Sequence, residues 1–167
     1  AAAAAIGMGL PIESPSGSMV VDIGGGTTDI AITSLSGIVK RKNLKIAGDK
    51  MDQDIISFIR NQYKVLIGEK TAEEIKIEIG SALPDAHSVV QRTMSIKGRD
   101  LVSGLPKEID INETDIREAM APSLSQIIEA VKETLETAPP EILGDILTDG
   151  IILTRGGALI RNVDKLF

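Results

Sequence analysis

The 167-residue chain, 43% hydrophobic and 25% charged, is long enough to bury a core in one domain or two small lobes. A formal net charge of -6, with Lys40, Arg41 and Lys42 as the longest basic cluster, excludes nucleic-acid binding by counterion release, and 2% aromatic content leaves no stacking platform for single strands. The lack of cysteine excludes disulfides and thiolate metal sites and suits a reducing cytoplasm, and no apolar run approaches the ~18 residues of a membrane-spanning helix.

Ala1 to Ala5 lacks a basic flank and runs into Gly7, Gly9 and Pro11, so it reads as the end of a helix rather than a signal peptide. From Met19 to Ile46 the pattern is β. Met19–Ile23 is a continuous apolar run, Asp29–Ser34 alternates, and Ile38–Ile46 alternates after a turn at Ser36-Gly37, giving a three-stranded meander. Gly24-Gly25-Gly26-Thr27-Thr28 is then the turn between the first two strands, where glycine permits positive φ and the close approach of a ligand.

Asp49 to Gly68 reads as an amphipathic helix with Met51, Ile55, Ile56, Ile59, Tyr63, Leu66 and Ile67 on its apolar stripe and Gly68 as its stop. A second, short helix follows, with Thr71 and Glu74 spaced as a capping box and Ile75 and Ile79 on the buried side before Gly80. Ser81 to Leu105 is turn-rich with a short strand around Met94 to Lys97, and Lys107 to Ile111 is a further strand. The lone His87, without companion ligands, reads as a surface histidine. Thr114 to Thr137 has a helical period interrupted or kinked at Pro122 and closed by Pro139-Pro140. Glu141 to Leu147 suits a short helix, Asp149-Gly150 a turn, Ile151 to Thr154 a buried strand, and Ala158 to Phe167 a final helix.

Val20-Val21-Asp22-Ile23-Gly24-Gly25-Gly26-Thr27-Thr28-Asp29 carries the strongest chemical signal. A strand delivers an exposed carboxylate at its end, and three glycines strip side chains from the turn so that backbone N–H groups face phosphate oxygens. Because Mg²⁺ keeps several of its waters, one acid such as Asp22 suffices to hold it through water. A dinucleotide-binding G-x-G-x-x-G fingerprint is excluded, since these glycines are contiguous and a strand, not a helix, follows. A second glycine loop, Thr154-Arg155-Gly156-Gly157-Ala158-Leu159, joins a strand to the expected helix, whose N-terminus would suit a ligand. By itself it reads rather as a tight strand-to-helix turn. The third element is the short helix with Glu73, Glu74 and Lys76, followed by Gly80-Ser81. Glu73 and Lys76 share one face, where they either meet a ribose and base or simply stabilise an exposed helix.

These three elements, in this order, resemble the second half of the actin, Hsp70 and sugar-kinase superfamily. Within it the segments GSMVVDIGGGTTDIAITSLSGIV, IAGDKMDQDII, LIGEKTAEEIKIEIGSA, IKGRDLVSGLPKEI and TAPPEILGDI are similar to the MreB family of actin-like cytoskeletal proteins, over essentially the whole chain. The resemblance implies an α/β, ribonuclease H-like actin-type domain, a three-stranded meander followed by alternating helices and strands. Residues 1–15 would end a preceding interdomain helix and linker, 16–68 and 112–167 would form the core subdomain, and 69–111 a small inserted α/β subdomain.

The same resemblance implies ATP and Mg²⁺ as cofactors, with Asp22 positioning the metal through water and the Gly24, Gly25, Gly26 and Thr27 turn binding the phosphates. Thr27 or Thr28 would orient the attacking water. Glu73, Glu74 and Lys76 would border ribose and base, and Thr154, Gly156, Gly157 and Ala158 would line the adenine pocket. It further implies self-association into filaments controlling cell shape, contacts with other cell-shape and wall-synthesis proteins, and a cytoplasmic location at the inner face of the membrane, with membrane contact not made through this half. The first phosphate loop and the carboxylate that polarises water belong to the other half, so the chain alone is expected to be inactive. Arg155 stands where the family usually has glycine, and an arginine there at positive φ would store roughly 1 to 2 kcal/mol of strain. The alternatives are a metabolite kinase, disfavoured by a compact Ser81–Lys107 without a substrate pocket, and an Hsp70-like ATPase, disfavoured because no peptide-binding domain follows Phe167.

Overall fold

The computed structural model describes residues 17–35, 37–85 and 90–167, so the expectations for Ala1–Ala5, Ser36 and His87 lie outside the described residues. In chain order the elements are β1 (Ser18–Ile23), β2 (Thr28–Ser34), β3 (Gly37–Leu44), α1 (Gly48–Tyr63), β4 (Val65–Leu66), α2 (Glu69–Ile79), β5 (Thr93–Asp100), β6 (Pro106–Asn112), α3 (Glu113–Glu136), α4 (Pro140–Asp149) and β7 (Ile151–Thr154). The chain divides into two compact units. One runs to Gly48 and takes in Gln126–Leu159 and Phe167; the other comprises Asp49–Ser125 and Ile160–Leu166.

The first unit is built on a four-stranded sheet of order β3-β2-β1-β7, antiparallel except where β7 runs parallel to β1. β1 is buried from Met19 to Ile23, which explains why its sequence there is apolar at every position but Asp22 rather than alternating. α4 packs on β1, and Asp145 Oδ2 accepts the Gly17 N–H at 2.6 Å, fixing where the central strand begins. β3 forms the sheet edge. Two of its basic cluster are ion-paired, Arg41 with Asp29 and Lys42 with Glu133, and charges on an edge strand discourage pairing with another chain.

The second unit packs α1 and α2 with a three-stranded antiparallel sheet of order β4-β5-β6. Met51, Ile55 and Ile59 recur at helical spacing on α1, and Ala72, Ile75 and Ile79 on α2, and all six are buried. α1 stops at Tyr63, five residues short of the expected end. Lys64 takes a left-handed φ of 56°, and Val65 and Leu66 leave the helix to pair with Asp100 and Arg99. Gly98 makes this pairing possible, because a Cβ there would lie 2.4 Å from Val65 Cγ1 and 2.6 Å from the Leu66 carbonyl oxygen.

Three further expectations need correction. Thr71 and Glu74 form no capping box, since α2 begins at Glu69 behind an extended Gly68 with no side-chain cap. The reciprocal cap lies instead at α3, where Asp115 N–H donates to Asn112 Oδ1 at 3.0 Å and Asn112 N–H to Asp115 Oδ2 at 3.4 Å. Pro122 sits inside α3 without interrupting it. No α-helix forms over Ala158–Phe167. Two 3-10 turns, Gly156–Leu159 and Val163–Leu166, stand there, because Arg161 bridges to Ser81 and Asn162 adopts φ 59° while its Nδ2 donates to the Leu83 carbonyl.

Tyr63 closes α1 by donating from its hydroxyl to Asp115 Oδ2 at 2.5 Å, and burial together with that carboxylate pushes its pKa up to about 12. A raised pKa means the folded state holds the proton more tightly, so the stabilisation is complete below the ordinary tyrosine value of about 10 and is lost as pH rises towards 12. Urea unfolding is expected to show wild-type stability falling by about 1–2 kcal/mol between these limits, a discounted figure for a partly exposed group. Tyr63→Phe should lack this alkaline step.

Candidate functional site

The register of the first sheet sets one polar row across four strands. Thr154 on β7 lies beside Asp22 on β1, Asp22 lies opposite Asp29 on β2, and Asp29 lies opposite Asn43 on β3. Directly paired residues project from the same face. Two carboxylates therefore stand side by side at the end of the sheet that carries the glycine turn. Asn43 Nδ2 donates to Asp29 Oδ1 at 2.9 Å and Arg41 Nη2 at 3.1 Å, and these bonds, the amide foremost, lower the Asp29 pKa.

Asp22 is the buried member, at 2% exposure, which corrects the expectation of an exposed strand-end acid. Its cation is Arg155, whose Nε lies 3.0 Å from Oδ1. The N–H is not directed at that oxygen, so the contact is an ion pair without a hydrogen bond, and Oδ1 has no donor among the described residues. Thr154 Oγ1, buried in the next strand, also lacks a partner. A carboxylate and a hydroxyl at neighbouring positions thus keep unsatisfied acceptor capacity, which suits a hydrated cation, since buried polar groups are otherwise costly.

The glycine turn begins where this row ends. Gly24 is buried; its N–H donates to the Thr27 carbonyl at 3.0 Å and its carbonyl accepts the Gly48 N–H at 3.1 Å. Gly25 and Gly26 are exposed, and no backbone acceptor for the N–H groups of Gly25, Gly26 or Thr27 is found among the described residues. The turn therefore offers donors to an anion. The described glycines with positive φ are Gly37, Gly104 and Gly150, so this turn uses its glycines for bare backbone rather than for left-handed conformation. Of the two threonines left open by the sequence, Thr28 is fully buried and its Oγ1 donates to the Ile46 carbonyl at 2.7 Å. Thr27 is the partly exposed one.

The second loop meets the first through Gly157, where a Cβ would come within 2.2 Å of Ile23 Cγ2. Only glycine lets this loop lie against the end of β1. Thr154 is held beside Asp22 at the end of β7, and Gly156, Gly157 and Ala158 follow on a 3-10 turn rather than at the expected α-helix N-terminus. Arg155 does adopt the left-handed backbone, at φ 65°, and its guanidinium reaches Asp22.

Glu73, Glu74 and Lys76 lie on α2 in the second unit. Lys76 Nζ is 2.8 Å from Asp52 Oδ1, and both side chains are largely buried. Burial raises the Asp52 pKa against the opposing pull of Lys76. Glu74 lies 4.0 Å from Lys70 on the exposed face. At the end of α2, Ser81 Oγ donates to the buried Glu113 Oε1 at 2.7 Å, with Arg117 and Arg161 3.7 and 3.6 Å from the Glu113 carboxylate. Asp29, Asp52 and Glu113 escaped the sequence reading. Asp29 closes the DIGGGTTD motif and was in plain view, but its role needs the register, and the other two carry no local signal.

A central strand ending in a buried acid, a glycine turn whose N–H groups meet no backbone acceptor among the described residues and a second glycine loop against the same strand end define an actin-type α/β domain. The chain belongs to the MreB/Mbl protein family, whose family model matches residues 1–167. It is 50% identical over 163 residues to the cell shape-determining protein Mbl of Bacillus subtilis (strain 168) and 49% identical over 164 residues to the cell shape-determining protein MreB of Escherichia coli (strain K12), covering 98% of this chain and 48% and 46% of those proteins. The crystal structure of MreB5 of Spiroplasma citri bound to AMPPNP superposes with a TM-score of 0.91 at 49% identity, over 97% of this chain and 48% of that one. The chain spans about half the length of the curated relatives it matches.

Two opposing terms act at Arg155. Left-handed backbone costs a non-glycine residue about 1–2 kcal/mol, while an ion pair whose arginine is 62% exposed contributes less than about 1 kcal/mol after screening. Arg155→Gly is therefore expected to leave unfolding free energy within about 1 kcal/mol of wild type. Arg155→Ala keeps the strain and loses the pair, and should be less stable than Arg155→Gly by about 1 kcal/mol in urea titrations.

Proposed function

We propose that this chain is the C-terminal half of an actin-like cytoskeletal ATPase that binds and hydrolyses ATP with Mg²⁺ and polymerises into cytoplasmic filaments controlling cell shape, at the inner face of the membrane and in contact with wall-synthesis proteins. The observation that carries the reading is the N–H groups of Gly25, Gly26 and Thr27, without a backbone acceptor among the described residues, beside the buried Asp22, whose Oδ1 has no donor among them. Support comes from relatives that determine cell shape and from a relative bound to AMPPNP.

In this reading the turn from Gly24 to Thr27 donates backbone hydrogen bonds to phosphate oxygens, and Asp22 holds the metal through water. The metal, when bound, neutralises phosphate charge. Thr27 rather than Thr28 orients the attacking water, because the Thr28 hydroxyl is committed to Ile46. Thr154, beside Asp22 in the register, and Gly156, Gly157 and Ala158 on the turn after it line the adenine pocket with backbone. For Glu73, Glu74 and Lys76 at the ribose and base, the support is the family resemblance alone. The reaction is in-line attack of water on the γ-phosphate, driven by positioning and charge neutralisation.

Asp22→Asn in the full-length protein, nearly isosteric for a buried acid, is expected to lower Mg²⁺-dependent ATP turnover at least about 100-fold while circular dichroism shows the fold retained. Wild-type turnover in that variant would remove Asp22 from the reaction. Sedimentation of the full-length protein with ATP should pellet filaments, and a soluble, monomeric protein under those conditions would overturn the cytoskeletal reading. The isolated chain should bind ATP only weakly; calorimetry giving an affinity of about 1 μM or tighter would show that the site is not shared with another half.

A further inference from the structure

Arg155 follows Thr154, the residue that sits beside Asp22 in the sheet, and its left-handed backbone sends the side chain back over the start of the glycine turn. Nη1 lies 3.1 Å from where a Cβ on Gly24 would stand, and Nε lies 3.0 Å from Asp22 Oδ1. The guanidinium thus covers a carboxylate that is 2% exposed while remaining 62% exposed itself. The neighbouring acid, Asp29, is served separately by Arg41 and Asn43. That leaves Arg155 as the one cation paired with Asp22 among the described residues.

The pair is also easily exchanged. Its N–H is not aligned on Oδ1, its outer face is wet, and its backbone is strained, so little holds the side chain once a stronger cation arrives.

We propose that Arg155 is a resident counter-cation of Asp22, so that a divalent metal binds this site by exchanging with the chain's own guanidinium. The inference rests on the nucleotide-site reading above. Two consequences follow from the charges. More metal is needed to load the site than Asp22 alone would require, and nucleotide binding depends less on metal, because positive charge already stands beside the turn.

The test uses Mn²⁺, observed by electron paramagnetic resonance, titrated with AMPPNP into full-length wild type, Arg155→Gly, Arg155→Gln and Asp22→Asn. A parallel titration measures AMPPNP binding in EDTA. Both Arg155 variants are expected to bind Mn²⁺ at least about tenfold more tightly than wild type and AMPPNP in EDTA at least about threefold more weakly. Arg155→Gln retains the left-handed strain, and Arg155→Gly relieves it, so agreement between them assigns the effect to charge. If Mn²⁺ affinity in both stays within about twofold of wild type while Asp22→Asn loses Mn²⁺, the counter-cation inference falls and the nucleotide reading stands. Weaker Mn²⁺ binding in the Arg155 variants would equally overturn it, making Arg155 a partner of the loaded site. If Asp22→Asn binds Mn²⁺ and AMPPNP as wild type does, the nucleotide reading falls and the inference with it.

Discussion

A carboxylate at the end of a strand buried on both faces is the constraint around which the first unit is arranged. A charge in that position carries a desolvation cost, so the strands on either side and the loops that follow them supply compensation. β1 cannot move Asp22 outwards, because Met19, Val21 and Ile23 fix its depth by their own burial. Compensation comes from Arg155, reached through a left-handed backbone, and it is incomplete, with Oδ1 and the adjacent Thr154 hydroxyl short of donors. A site satisfied fully by its own chain would have no reason to admit a ligand.

The same parallel pairing of β1 with β7 that brings Thr154 to Asp22 brings the second glycine loop to the first. Gly157 packs on Ile23, so the backbone of that loop replaces a side chain in the core. This is why Gly157 is structurally required whether or not a ligand is bound, whereas a Cβ on Gly156 would meet open space.

The second unit has its own buried polar centres. Asp52 and Lys76 tie α1 to α2, and Glu113 gathers Ser81, Arg117 and Arg161 at the far end of α2. Each carboxylate is paired, as buried charges must be, and each pairing fixes where α2 can lie within its unit. The residues on α2 singled out from sequence are therefore partly structural: Lys76 spends its charge on Asp52.

Sequence alone determined what depends on neighbours along the chain. The apolar run of β1, the alternation of β2, the stripe of Met51, Ile55 and Ile59 and the contiguous glycines at 24–26 each carry their own period or turn chemistry, and each element appears close to where that chemistry puts it. The left-handed Arg155 was legible through the family resemblance, as an arginine where the family usually has glycine. Tertiary structure decided everything that requires two distant segments to meet. The early end of α1 follows from the pairing of Val65 and Leu66 with β5, and the loss of the last helix from the bridge between Arg161 and Ser81. The row of Thr154, Asp22, Asp29 and Asn43 exists only through a register joining strands more than 100 residues apart, and the burial of Asp22 and the choice of Arg155 as its partner come with it. Local propensity acts over a few residues, whereas the depth of a charge and the identity of its counter-ion are properties of the packed chain.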